Sequence, residues 1–104
     1  MSPKLKVEYI SAKILKPASY NPRRWDEQAI NGLTESIKRF GLVDPVIVNS
    51  APNRKNIVIG GHFRLKVAKD LGFKEIPVVL LNIPDLKKEK ELNKLASAFE
   101  KAKA

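Results

Sequence analysis

The chain has 104 residues, 20 Lys and Arg against 11 Asp and Glu, a formal net charge of +9 and no cysteine. That length supports one small domain burying roughly two-thirds of the surface its unfolded form exposes, and excludes a second full domain. The missing cysteine excludes disulfide stapling, Cys-ligated zinc, iron–sulfur clusters and thiol catalysis, while the surplus of cations favours polyanionic partners: nucleic acid, nucleotide phosphates or acidic protein surfaces.

The first six residues lack the apolar stretch of a signal peptide, and no window approaches the roughly 18 apolar residues of a membrane span, so the expected location is the cytoplasm, with no membrane partner. Residues 1–40 carry eight bases and four acids, residues 41–81 six and three, and residues 82–104 six and four. Cationic excess spread this evenly suits a solvated, lysine-rich surface as well as it suits a binding face.

Val7-Glu8-Tyr9-Ile10 alternates apolar and polar residues, and Ile14-Leu15 follows, which predicts a strand lying on a core. Pro17-Ala18-Ser19-Tyr20-Asn21-Pro22-Arg23-Arg24 holds two prolines and reads as a loop. Asp26 is placed to cap a helix beginning near Glu27, with an apolar stripe of Ile30, Leu33, Ile37 and Phe40 and a stop at Gly41. Two β-branched runs, 45–49 and 56–60, flank a polar stretch and predict an antiparallel hairpin. Gly60-Gly61 ends the second strand, and a largely buried helix is expected from 62 to 71 with a stop at Gly72. Ile76-Pro77-Val78-Val79-Leu80-Leu81 is a continuous apolar strand with Pro77 near its beginning. Pro84-Asp85 opens a charged helix whose apolar stripe is Leu92, Leu95, Ala96 and Phe99 and whose Lys-Ala-Lys-Ala end is expected to fray.

Two segments carry candidate chemistry. Ile59-Gly60-Gly61-His62-Phe63-Arg64 runs from a strand through two glycines into a helix. A phosphate approaches such a backbone without meeting a Cβ, the first-turn amides and helix dipole supply partial positive charge, and the Arg64 guanidinium is able to grip two phosphate oxygens. The same residues read equally well as a tight turn followed by a surface cation. Asn21-Pro22-Arg23-Arg24 places a cation pair before the other helix start. If the two starts face each other, Arg23 or Arg24, Arg64 and two sets of amides surround a hollow of polyphosphate size.

The order Asn21-Pro22-Arg23, Ser36-Ile37-Lys38-Arg39-Phe40-Gly41, Leu42-Val43-Asp44-Pro45-Val46-Ile47-Val48, Ile57-Val58-Ile59-Gly60-Gly61-His62-Phe63-Arg64 and Leu71-Gly72-Phe73-Lys74-Glu75-Ile76-Pro77-Val78 resembles the N-terminal domain of ParB in the ParB/sulfiredoxin superfamily. The likeness spans roughly residues 7–83. It is greatest to the ParB-like domains that stand alone or precede DNA methyltransferases, where a Gly-Gly-His-x-Arg-Leu-Lys run is usual. The resemblance implies an α+β fold, a small mixed sheet with helices packed around it, formed by a domain over 1–83 and followed at 84–104 by an amphipathic helix suited to docking or to a homodimer. It implies binding of a nucleotide or of DNA backbone phosphate by Asn21, Arg23, Arg24, Gly60, Gly61, His62 and Arg64, with Asp44 and Pro45 lining the pocket. The ligand it suggests is a nucleoside triphosphate or diphosphate with Mg²⁺, and the partners are DNA or a DNA-processing protein.

Within this superfamily, partition proteins bind and hydrolyse CTP and clamp DNA, sulfiredoxin uses ATP to repair an oxidised peroxiredoxin, one branch phosphorylates free serine, and others are labelled nucleases. The family's Gly-Glu-Arg-Arg box, aligned on its last arginine, falls on Gly61, His62, Phe63 and Arg64. Gly61 and Arg64 match; His62 and Phe63 replace the acid and the first arginine, which counts against CTP hydrolysis of the partition-protein kind. Sulfinic-acid repair is excluded because the chain lacks cysteine. His62, the only histidine, is the candidate general acid/base for a nucleotide-dependent alternative, whether NTPase, phosphotransferase or nuclease, and reads otherwise as a capping or packing residue. Asp44 and Glu35 are the carboxylates available to a magnesium ion; no metal site formed by the protein alone is expected. Phe63 and Trp25 are candidate base-stacking residues, with core packing favoured for Phe63. The helix-turn-helix that follows this domain in partition proteins and reads DNA sequence is not expected within these 104 residues, and a protein-docking module is the third reading.

Overall fold

The computed structural model describes residues 7–20, 27–42 and 44–103, with side chains in the last helix described through residue 96. The β-branched runs form the middle of a five-stranded mixed sheet: β1 (Val7–Ser11), β2 (Lys16–Pro17), β3 (Val46–Asn49), β4 (Ile57–Gly60) and β5 (Glu75–Leu81), in the order β1-β5-β3-β4-β2. The hairpin expected from the sequence is the antiparallel β3/β4 pair, with an irregularity between Ile47 and Val48. β5 lies parallel to β3 and antiparallel to β1. Its pairing with β3 begins at Val78, one residue after Pro77.

Among the described residues three α-helices accompany the sheet: α1 (Glu27–Phe40), α2 (His62–Asp70) and α3 (Leu86–Lys103). α1 and α2 stop where glycines at positive φ let the chain turn back, Gly41 at 77° and Gly72 at 85°. The cap predicted at Asp26 lies outside the described residues. Asp85 caps α3, its Oδ1 accepting from the Lys87 amide at 2.9 Å. No described helix is long and apolar enough to cross a membrane.

Val46 and Val48 of β3, Val58 of β4 and Ile76 and Val78 of β5 join Leu65 and Ala68 of α2 and Leu15 in the main core. Because side chains alternate along a strand, Asn49 points away from Val48 and reaches α3 instead. The two faces of the sheet are thus covered by α2 and α3.

Three expectations are corrected by the fold. Val7 and Tyr9 of the edge strand are exposed, Tyr9 at 68%, while Ile10 is the β1 residue packed against the core, so the predicted alternation faces the opposite way. In α1, Ile37 is buried but Phe40, the last residue of the helix, is 69% exposed. Leu95 of the predicted α3 stripe is also 69% exposed, and Phe99 has no described side chain. Ala96 of that stripe does meet the sheet, but its companions there are Glu89 and Asn93, on one side of the helix at spacings of four and three.

Candidate functional site

β2 runs parallel to β4, with Lys16 opposite Ile57 and Pro17 opposite Val58. Both strands therefore leave the sheet at the same end, β4 into the two glycines and β2 toward residues 18–20. The amide of Ala18 donates to Nε2 of His62 at 3.4 Å, which ties this exit to the first residue of α2. His62 is 5% exposed, so the ring is enclosed at the start of α2. Asn21, Arg23 and Arg24, together with Trp25, lie outside the described residues.

The two glycines have different work. Gly61 is the N-cap of α2 at φ 87° and ψ 29°, a left-handed conformation that L side chains rarely adopt. A Cβ there would stand 2.9 Å from Nη1 of Arg64 and 3.3 Å from Cγ2 of Val46. The guanidinium thus lies over the bare glycine, held by a hydrogen bond from Nη1 to the Pro45 carbonyl at 3.3 Å. Gly60, by contrast, is where α3 comes close: a Cβ on it would be 2.9 Å from Cβ of Ala96. The absent side chain at Gly60 serves helix packing, while Gly61 is itself buried, with Arg64 and Val46 closing over it.

The structure brings Gly61, His62, Arg64 and Pro45 together, with Asp44, exposed, next in the chain to Pro45. Glu35 is exposed on α1, and Phe63 is half-buried. Among the described residues no three His, Asp or Glu side chains gather as a cation site.

Sequence reasoning missed a second polar assembly, beneath α3. Glu89 is wholly buried. Its Oε1 accepts from Nδ2 of Asn49 at 2.7 Å and Nε of Arg54 at 3.0 Å, and its Oε2 accepts from Nη2 of Arg54 at 2.9 Å. Asn49 also donates to the Ile83 carbonyl at 2.7 Å, and its Oδ1 accepts from the amides of Ala51 and Ile83. Asn93 donates to the Ile59 carbonyl at 2.8 Å. Burial pushes the Glu89 carboxyl up, but hydrogen bonding from Arg54, with Tyr20 and Asn49 contributing, outweighs it and holds the group below its ordinary value. Arg54 is correspondingly raised by its hydrogen bond to Glu89, against the effect of burial. Tyr20, the last described residue before the 21–24 segment, also carries the Lys90 ammonium over its ring at 5.5 Å from the centroid. The one legible signal was the spacing of Glu89, Asn93 and Ala96, which a run of lysines disguises as a solvated face.

Comparison with known proteins agrees with this architecture. The sequence matches the ParB N-terminal domain over residues 2–94. It is 35% identical over 82 residues to the ParB-like nuclease domain-containing protein YnaK of Escherichia coli (strain K12), covering 79% of this chain and 90% of that protein. Among solved structures, a C-terminally truncated chromosome-partitioning protein ParB from Caulobacter crescentus, complexed with CTP-gamma-S, superposes with a TM-score of 0.73 at 24% identity. That match covers 85% of this chain and 50% of the Caulobacter chain. Sulfiredoxin from Arabidopsis thaliana superposes with a TM-score of 0.67 at 18% identity, covering 75% of this chain and 86% of its own. The α+β fold is thus that of ParB and sulfiredoxin, and with its profile matched across most of its length this chain belongs to the ParB N-terminal domain family.

Proposed function

We propose that this ParB-like domain binds a nucleotide or a backbone phosphate between the 21–24 loop and the start of α2, and acts with DNA or a DNA-processing partner. The observation that supports this most is the Gly61 corner. A left-handed glycine opens α2, the Arg64 guanidinium lies over it, and the Pro45 carbonyl fixes that guanidinium in place. An arginine held beside a helix start offers an anion both a charge-assisted hydrogen bond and the positive end of the helix dipole. The parallel run of β2 beside β4 and the Ala18–His62 hydrogen bond support the second half of the reading, because they bring residues 18–20 to the end of the sheet where α2 starts. The CTP analogue held by the Caulobacter relative makes a nucleoside triphosphate the first ligand to try.

Calorimetric titration of the wild type and of Arg64→Ala with CTP, ATP and ADP tests this reading. Binding that Arg64→Ala weakens by ~1.5–3 kcal/mol, the worth of a hydrogen bond to a charged group, supports it. Absence of nucleotide binding, or binding indifferent to Arg64, overturns it. Phosphate release that disappears in His62→Ala would move the conclusion to the nucleotide-dependent enzyme.

A further inference from the structure

α2 has a second charged end. Where its C-terminus passes through Gly72 into β5, the chain meets the turn leaving β1, fastened there by the Ala12 amide donating to the Lys74 carbonyl at 3.0 Å. Between them lies an open hollow of about 630 Å³, whose lining includes Ser11, Gly72 and half-buried Phe73 together with Lys13, Lys69 and Lys74. All three lysines are exposed. Lys69 donates to the Leu15 carbonyl at 3.4 Å, and neither Lys13 nor Lys74 forms a salt bridge with a described residue. Of the nearby carboxylates, Asp70 is engaged by Lys66 at 3.2 Å, leaving Glu75 at the start of β5 as the local counter-charge.

We propose that this hollow is a contact site for the phosphodiester backbone of duplex DNA, distinct from the Gly61 corner. The chemistry favours a repeating polyanion over a small one. A small anion is held by converging, buried donors, whereas the three lysines lining this hollow are exposed and only Lys69 is tethered, an arrangement that adapts to successive phosphates. Phe73, which lines the hollow, packs against the core, so it is not free to stack an unpaired base. The nine residues of α2 put about 13 Å between its two ends, which lets a nucleotide at one end and a duplex at the other be bound together. This inference rests on the DNA association proposed above but not on the nucleotide.

The test is fluorescence anisotropy of a labelled duplex across a salt series, with wild type and the Lys13→Gln/Lys69→Gln/Lys74→Gln variant. Each lost phosphate contact lowers the slope of log K against log salt by about one, so the triple variant is expected to lower it by about three, with an affinity loss on the order of a hundredfold near 0.1 M salt. Lys87→Gln/Lys88→Gln/Lys94→Gln removes the same charge from α3 and is expected to change the slope by less than one. Lys13→Gln/Lys74→Gln, which spares the Lys69 contact to Leu15, serves if the triple variant does not fold, with a fall of about two. An unchanged slope, an equal fall in the α3 variant, or no duplex binding by the wild type overturns the proposal. So does competition by inorganic phosphate beyond that of chloride at equal ionic strength. Nucleotide titration of the same variants separates the two readings: the lysine variants are expected to retain CTP or ATP binding.

Discussion

Replacing Glu89 by glutamine tests how α3 is held to the sheet. The glutamine amide oxygen is able to keep the place of Oε1 against Asn49 and the Arg54 Nε, but its NH₂ group then meets the Arg54 Nη2 donor to donor, where the carboxylate accepted at 2.9 Å. Breaking a buried ion pair from one side costs ~3–5 kcal/mol. The Arg54 side chain is 23% exposed and keeps some water, which lowers the expected loss to ~2–3 kcal/mol. A domain of this size is stable by only ~5–15 kcal/mol, so the change is large. Urea unfolding followed by circular dichroism should show the midpoint falling by roughly 1.5–2 M with the slope unchanged. Arg54→Met should cost a similar amount, and the double variant clearly less than the two together, with a coupling of ~1.5–3 kcal/mol.

The pH dependence supplies an independent check. In the wild type the folded carboxyl lies below its ordinary value of 4.5, so its contribution to stability is present above that pH and is lost as pH falls through the folded value. In Arg54→Met burial prevails and the folded value rises above the unfolded one. Glu89 then destabilises at neutral pH, and the penalty is relieved on acidification. Additive single variants, or an acid limb that Arg54→Met leaves unchanged, would refute the reasoning.

The two glycines should separate in their effects. Gly61→Ala, forced to φ 87° and pressed against Val46 and Arg64, is expected to lose ~1–2 kcal/mol of stability and to weaken nucleotide binding with it, by calorimetry. Gly60→Ala meets Ala96 at 2.9 Å and is expected to lose ~1–3 kcal/mol while the nucleotide affinity of the folded protein stays the same, with part of the loss restored by Ala96→Gly. Asn49→Leu removes a side chain that bridges Ile83, Ala51 and Glu89, and should cost ~2–4 kcal/mol, with hydrogen exchange accelerating at the amides of Ala51 and Ile83.

Local order in the chain was enough to locate the hairpin, α2 and β5, because β-branched runs and glycines at turns act through neighbours a few residues away. The Gly61–Arg64 corner was legible for the same reason: strand, glycine, helix and arginine are contiguous. Nothing local distinguishes Gly60 from Gly61, and only the approach of Ala96 from α3 assigns the first to packing. Nor does a glutamate among lysines announce that it is buried, since a charged residue is solvated unless partners from elsewhere satisfy it. Those partners, Asn49 and Arg54, are 40 and 35 residues away along the chain. Which of the two helix faces meets the sheet, and which lysines gather around one hollow, are decided by how distant segments pack, and a side chain's own sequence neighbours do not encode that.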